Sequence, residues 1–151
     1  MTHPDTRTAQ RPPDSLFTLV TDQWTQPWWD AAAKGQLVAA KCGNCGKFRM
    51  PPSPFCPHCR SQAIEWMELP GTGTLYSHTV VERAILPELA DCIPYVPAVV
   101  EPDGAPGIRF ITNIVGSAIQ DIVSGSKVAV LFDPIPGGAI PRFRIVKDAA
   151  V

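Results

Sequence analysis

Two C-x-x-C pairs, Cys42 with Cys45 and Cys56 with Cys59, stand ten residues apart in the stretch CGNCGKFRMPPSPFCPHC, and nothing else in the 151-residue chain restricts its folding as strongly. The stretch is too rich in Gly and Pro to be a long helix or a central strand, so something other than a hydrophobic core must hold it. A C-x-x-C turn points two sulfurs at one metal while its free backbone N–H groups bond the thiolates. Two such turns facing each other close a tetrahedral site with ligands about 2.3 Å from the ion. Gly43 and Gly46 suit a tight first knuckle and Pro57 stiffens the second, where Arg60 stands in the place that often holds glycine. Four protein ligands leave no open position for water or substrate, so the expectation is one structural zinc per chain on Cys42, Cys45, Cys56 and Cys59. Iron on the same four sulfurs and His58 in place of Cys59 are the alternatives; a thioredoxin-like redox pair needs a βαβ setting that the sequence lacks.

From Lys41 to Arg60 the chain carries Lys41, Lys47, Arg49 and Arg60 and no acid, a formal charge of +4. Four thiolates and one zinc(II) sum to −2, so these cations offset the metal cluster or present an anion site.

Composition narrows the rest. Seventeen prolines are about twice the roughly 5% background, and long helical stretches are scarce, which excludes a helical bundle and points to a loop-rich, mainly β chain. Thirteen basic against fourteen acidic residues give a net charge of −1, which offers polyanions no global attraction. No run of eighteen apolar residues and no secretory-type N-terminus occurs, so a cytoplasmic protein without a membrane segment is expected. Residues 1–15, polar and proline-punctuated, read as a flexible tail with no core to join. Residues 16–37 read as a helical arm of one or two short helices, with Pro27 in a first turn and Gly35 as a C-terminal cap. Residues 38–65 hold the ribbon. From residue 66 to 151 the apolar, β-branched runs GTGTLYSHTVVERAI, YVPAVVE, GIRFITNIV, KVAVLF and RFRIV, separated by turn chemistry, predict a five-stranded barrel, with one helical turn within Ala118 to Ser126.

Catalytic machinery is hard to find: there is no G-x-S-x-G, H-E-x-x-H, P-loop or placed G-x-G-x-x-G. Period two along TLYSHTVV puts Tyr76, His78, Val80 and Glu82 on one face, where His78 reads as a sheet histidine and not as a base. Cys92 stands alone with nothing nearby to activate it. Trp24, Trp28 and Trp29 gather three of the four tryptophans within six residues, as a partner anchor or as a plug for one end of the barrel.

Read together, PWWDAAAKGQLVAAKCGNCGKFRMPPSPFCPHC with its W-x-x-x-x-x-G-x-L approach, GTGTLYSHTVV, PAVVE, FITNIVG, KVAVLF and the closing PRFRIV resemble the zinc-ribbon plus OB-fold family known as domain of unknown function thirty-five. The resemblance implies a mainly β chain: an N-terminal helical arm, a rubredoxin-like zinc ribbon and an OB-fold barrel. It also implies a non-catalytic accessory subunit, not an enzyme on its own, in a hetero-oligomer with a thiolase-superfamily enzyme: a thiolase, an acyltransferase or a sterol-carrier-type aldolase. The partner would supply the catalytic groups. This chain would stabilise the assembly and help form the acyl-CoA channel, with Lys47 and Arg49 as candidate contacts to coenzyme A phosphates. From other classes, a single-stranded nucleic-acid binder and a rubredoxin-like electron carrier are the alternatives; scattered barrel cations among acids speak against the first.

Overall fold

The computed structural model describes residues 5–147. After a 3-10 turn at Asp14–Leu16 the chain stays irregular until α1 (Gln26–Ala33). One turn ahead of α1 the Thr25 amide donates to Asp22 Oδ1 (2.8 Å) and the Asp22 amide donates to Thr25 Oγ1 (3.1 Å). This reciprocal pair is the geometry of a capping box and aims the chain into the helix. Pro27 lies in the first turn and Gly35, at φ +74°, follows the helix end, as expected. The arm therefore contains one α-helix of eight residues. Thr18, Val20 and Thr21 ahead of it are β-branched and lack a helical apolar period, which leaves that stretch non-helical.

Strands β1 (Val38–Cys42), β2 (Phe48–Arg49) and β3 (Ile64–Glu68) form an antiparallel sheet in the order β2-β1-β3. Leu37 and Ala39 are almost fully buried and belong to the same core as the barrel residues. Hydrophobic burial thus anchors the base of this ribbon, and only its tip depends on the cysteines.

All five barrel strands form where the apolar runs predict them: β4 (Thr72–His78), β5 (Val96–Pro102), β6 (Phe110–Ile114), β7 (Lys127–Ile135) and β8 (Gly138–Ile145). They close in the order β4-β5-β6-β8-β7, with β6 and β8 parallel and the other pairs antiparallel. This is the OB-fold arrangement. Alternate residues Val96, Ala98 and Val100 point inward at 0–3% exposure, and Leu75, Ile114, Val128 and Phe143 complete the interior. Pro136 and Gly137 alone turn β7 into β8, with Gly137 at φ +87°. A 3-10 turn at Ile119–Asp121 occupies the segment between β6 and β7. The barrel leaves no room for a side chain at Gly73, where a Cβ would stand 2.5 Å from the Glu101 carbonyl oxygen. Among the described residues no helix is long and apolar enough to cross a membrane.

Two expectations need correction. Residues 5–15 are not a tail without a core: the Ala9 amide donates to Ser117 O (2.9 Å), the Gln10 amide donates to Pro94 O (2.8 Å), and Ala9 is buried in the barrel core. An extended segment can be held by its own amides, so it needs no apolar period. Residues 1–4 of that stretch, and 148–151 of the barrel range, lie outside the described residues. The period-two face through His78 also breaks. The register shifts from Leu75↔Val100 to Ser77↔Val99, which makes Tyr76 a bulge residue. Glu82 binds Arg7 instead (2.7 and 2.8 Å), and His78 Nδ1 lies 3.4 Å from Ser124 Oγ.

Candidate metal centre and its surroundings

The first knuckle leaves the end of β1, and the second hangs in the loop between β2 and β3. Each is closed by two backbone bonds: the Gly46 amide donates to Cys42 O and the Cys42 amide to Lys47 O (both 2.9 Å), and likewise the Arg60 amide donates to Cys56 O (2.8 Å) and the Cys56 amide to Ser61 O (2.9 Å). Both closing residues adopt the left-handed conformation, Gly46 at φ +73° and Arg60 at φ +63°. The two turns are equivalent in backbone, and glycine relieves the left-handed position in only one of them.

This symmetry brings the four sulfurs together. Cys42 Sγ is 3.6 Å from Cys59 Sγ, Cys45 Sγ is 3.6 Å from Cys56 Sγ, and all four lie within 4.8 Å of one another. A tetrahedron with arms of about 2.3 Å has edges of about 3.8 Å, so the donor set fits one divalent ion. Cys42 and Cys56 are buried and Cys45 is exposed. His58 is exposed and outside the cluster. Polar hydrogens surround the sulfurs: the Cys45 amide reaches Cys42 Sγ at 3.5 Å and the Asn44 side-chain amide reaches Cys59 Sγ at 3.5 Å. The Asn44 amide, followed by the Ser61 backbone N–H, pushes the Cys59 thiol down to about 6, favouring the thiolate that a metal needs.

The two ribbon cations singled out for phosphate do not share one surface. Lys47 is exposed, whereas Arg49 is 3% exposed and donates from Nη1 to Ser61 O (3.2 Å) and from Nη2 to Ala63 O (3.5 Å). Arg49 makes no ion pair among the described residues. A guanidinium buried in the ribbon in this way ties the approach to β3 and adds positive charge to the module that holds four thiolates.

Trp24, Trp28 and Trp29 are all half-buried. Trp28 meets Trp29 edge-on with centroids 4.6 Å apart and lies 6.3 Å from the core residue Phe110, so it joins helix to barrel. On the outer barrel face Arg109 stacks on Tyr76 at 3.6 Å and pairs with Glu101 at 3.0 Å, its charge met within the chain. Cys92 is half-buried and pairs with no other cysteine. Sequence reasoning missed Asn44, whose position inside the first knuckle was the available signal. It also missed the buried ion pair of Arg142 with Asp133 (2.8 Å), for which two residues on different strands gave no signal.

Comparison with known proteins bears on most of the chain. Residues 29–65 match the family described as ChsH2, rubredoxin-like zinc ribbon domain, and residues 66–133 match ChsH2, C-terminal OB-fold domain. A solved structure described as "Ltp2-ChsH2(DUF35) aldolase" is similar at 34% identity and TM-score 0.75, over 85% of this chain and 98% of that one. A Sulfolobus solfataricus protein of unknown function from the DUF35 family shares the fold at 17% identity and TM-score 0.61, over 83% of this chain and 87% of that one. A Thermomonospora curvata protein described as "Probable enoyl-CoA hydratase alpha subunit" is 38% identical over 118 residues, 78% of this chain and 36% of that protein. The chain thus spans about a third of the length of that curated relative.

Proposed function

The chain belongs to the ChsH2 (DUF35) family of zinc-ribbon plus OB-fold proteins, and from that premise we propose that it is a non-catalytic accessory subunit of an enzyme acting on acyl-CoA. The observation that carries the reading is the similarity along nearly the full length of a chain from the Ltp2-ChsH2(DUF35) aldolase. The relative named as an alpha subunit of an enoyl-CoA hydratase points the same way. The partner we propose is a thiolase-superfamily subunit that supplies the catalytic groups, while this chain stabilises the assembly and helps line the acyl-CoA channel.

The metal we propose is zinc, held by Cys42, Cys45, Cys56 and Cys59. Its contribution is to folding, because a four-sulfur site offers no position for substrate. Of the two cations we propose for a coenzyme A phosphate, Lys47 is the exposed one, and Trp24 and Trp29 are the tryptophans we propose for a partner.

The test is co-purification of the tagged chain from its native extract through moderate salt, with mass identification and an acyl-CoA turnover assay. A thiolase-superfamily subunit whose turnover falls when this chain is removed is the expected result. A solitary monomer, or a chain eluting with nucleic acid in a salt-dependent way, refutes the reading.

A further inference from the structure

A groove of about 440 Å³ runs between α1, the Met50–Pro52 loop of the ribbon and the outer surface of β6 and β8. Its walls are apolar, built chiefly by Phe17, Trp28, Trp29, Met50, Pro51 and Ile140. Ile111 stands at its edge with 90% of its surface exposed. No carboxylate lines the groove, and Arg142 is its one charged side chain.

That guanidinium is 2% exposed and incompletely met. Nη1 donates to Asn113 Oδ1 at 3.2 Å. Nε lies 2.8 Å from Asp133 Oδ2, but the angle is not that of a hydrogen bond, so Nε has no acceptor. Asp133 is itself shared with Arg11, whose far end pairs with Asp14 at 2.9 Å. The network as a whole is neutral, yet the one carboxylate beside the deepest cation is divided between two. Arg142 Nη2 and Asn113 Nδ2 make no hydrogen bond among the described residues, and Trp28 Nε1 is buried without an acceptor. The buried side-chain atoms without a hydrogen-bond partner at this floor, Arg142 Nε and Trp28 Nε1, are both donors. Burying a cation costs heavily unless charge and hydrogen bonds meet it, so the partner that such a floor lacks is an anionic acceptor.

We propose that this groove binds a carboxylate carried on an apolar body, with the carboxylate accepting from Arg142 and Asn113 and the body lying between the Trp29 and Met50–Pro52 walls. Phosphate esters suit it less, because one guanidinium offsets a single charge and the walls offer no second cation. The site is built from this chain's residues alone, and because its Trp29 wall is also one of the tryptophans proposed for a partner, it is tested on the chain free of that partner.

The experiment titrates the full, metal-loaded chain with decanoate below its micellar range, following tryptophan emission and calorimetry, beside decanol, inorganic phosphate and an apolar peptide amide. Saturable decanoate binding at least about tenfold tighter than decanol is expected, the usual effect of a charge-assisted bond away from water. Asn113→Asp keeps the size of the side chain and gives Arg142 an internal carboxylate, so the fold is retained. It should abolish the preference for decanoate over decanol while leaving decanol binding and partner capture unchanged. Equal affinity for acid and alcohol, undiminished preference in N113D, no decanoate binding, or tighter binding of phosphate or of the peptide amide would each overturn the proposal, the last by assigning the groove to a chain segment.

Discussion

Replacing Arg60 by glycine should tighten metal binding, and the size of the effect follows from the backbone. Arg60 closes the second knuckle at φ +63°, the position that Gly46 fills at φ +73° in the first. A left-handed conformation costs a residue with a Cβ about 1–2 kcal/mol, and the greater freedom of glycine in the unfolded chain returns about 0.5–1 kcal/mol of that gain. The net is about 1 kcal/mol. The Arg60 side chain is exposed and makes no hydrogen bond or ion pair among the described residues, so little else is lost with it. Where ribbon folding and metal binding are one equilibrium, the whole difference appears in affinity, about fivefold. Removing a positive charge beside four thiolates acts in the opposite direction, so Arg60→Ala is the reference: it loses the charge and keeps the strain. Competition with a chromophoric chelator at fixed pH should place R60G about fivefold tighter than R60A. An R60G protein that binds no tighter than R60A would refute the strain argument.

Removing the metal with a strong chelator should melt the β2-β1-β3 sheet at its tip and leave barrel ellipticity largely intact, read by far-UV circular dichroism and by proteolysis between residues 42 and 60; an unchanged spectrum and digest contradict a folding role. Gly73→Ala forces a Cβ to within 2.5 Å of the Glu101 carbonyl oxygen and should cost about 1–3 kcal/mol of barrel stability, measured as a lowered urea midpoint. Acid should release the metal as Cys59 takes up its proton. In the metal-free site the Asn44 amide, followed by the Ser61 backbone N–H, lowers the Cys59 thiol to about 6, so their stabilisation of the thiolate is complete above the ordinary thiol range and is lost as pH falls through about 6. Asn44→Ala should therefore move the release midpoint upward, and a midpoint that stays or falls contradicts that role.

The local patterns in the chain were enough for much of this. Spacing alone placed Cys42, Cys45, Cys56 and Cys59 around one centre, because a C-x-x-C turn is a short-range device whose geometry its own backbone sets. The five apolar runs became the five barrel strands because alternate inward residues such as Val96, Ala98 and Val100 need only period two to show. Pro27 and Gly35 marked their turns for the same reason: the preference for φ belongs to the residue itself. Tertiary structure decided what depends on partners distant in sequence. Ala9 is buried because its amide meets Ser117, across more than a hundred residues. The bulge at Tyr76, which breaks the face through His78, arises from pairing with β5. Arg49 looked like a solvent cation by composition and is enclosed by the carbonyls of Ser61 and Ala63. Arg142, Asn113 and Trp28 meet at one groove only because β6, β8 and α1 are brought together by barrel closure. A side chain's type is written in the chain, but what surrounds it is fixed by contacts that form only when the barrel closes.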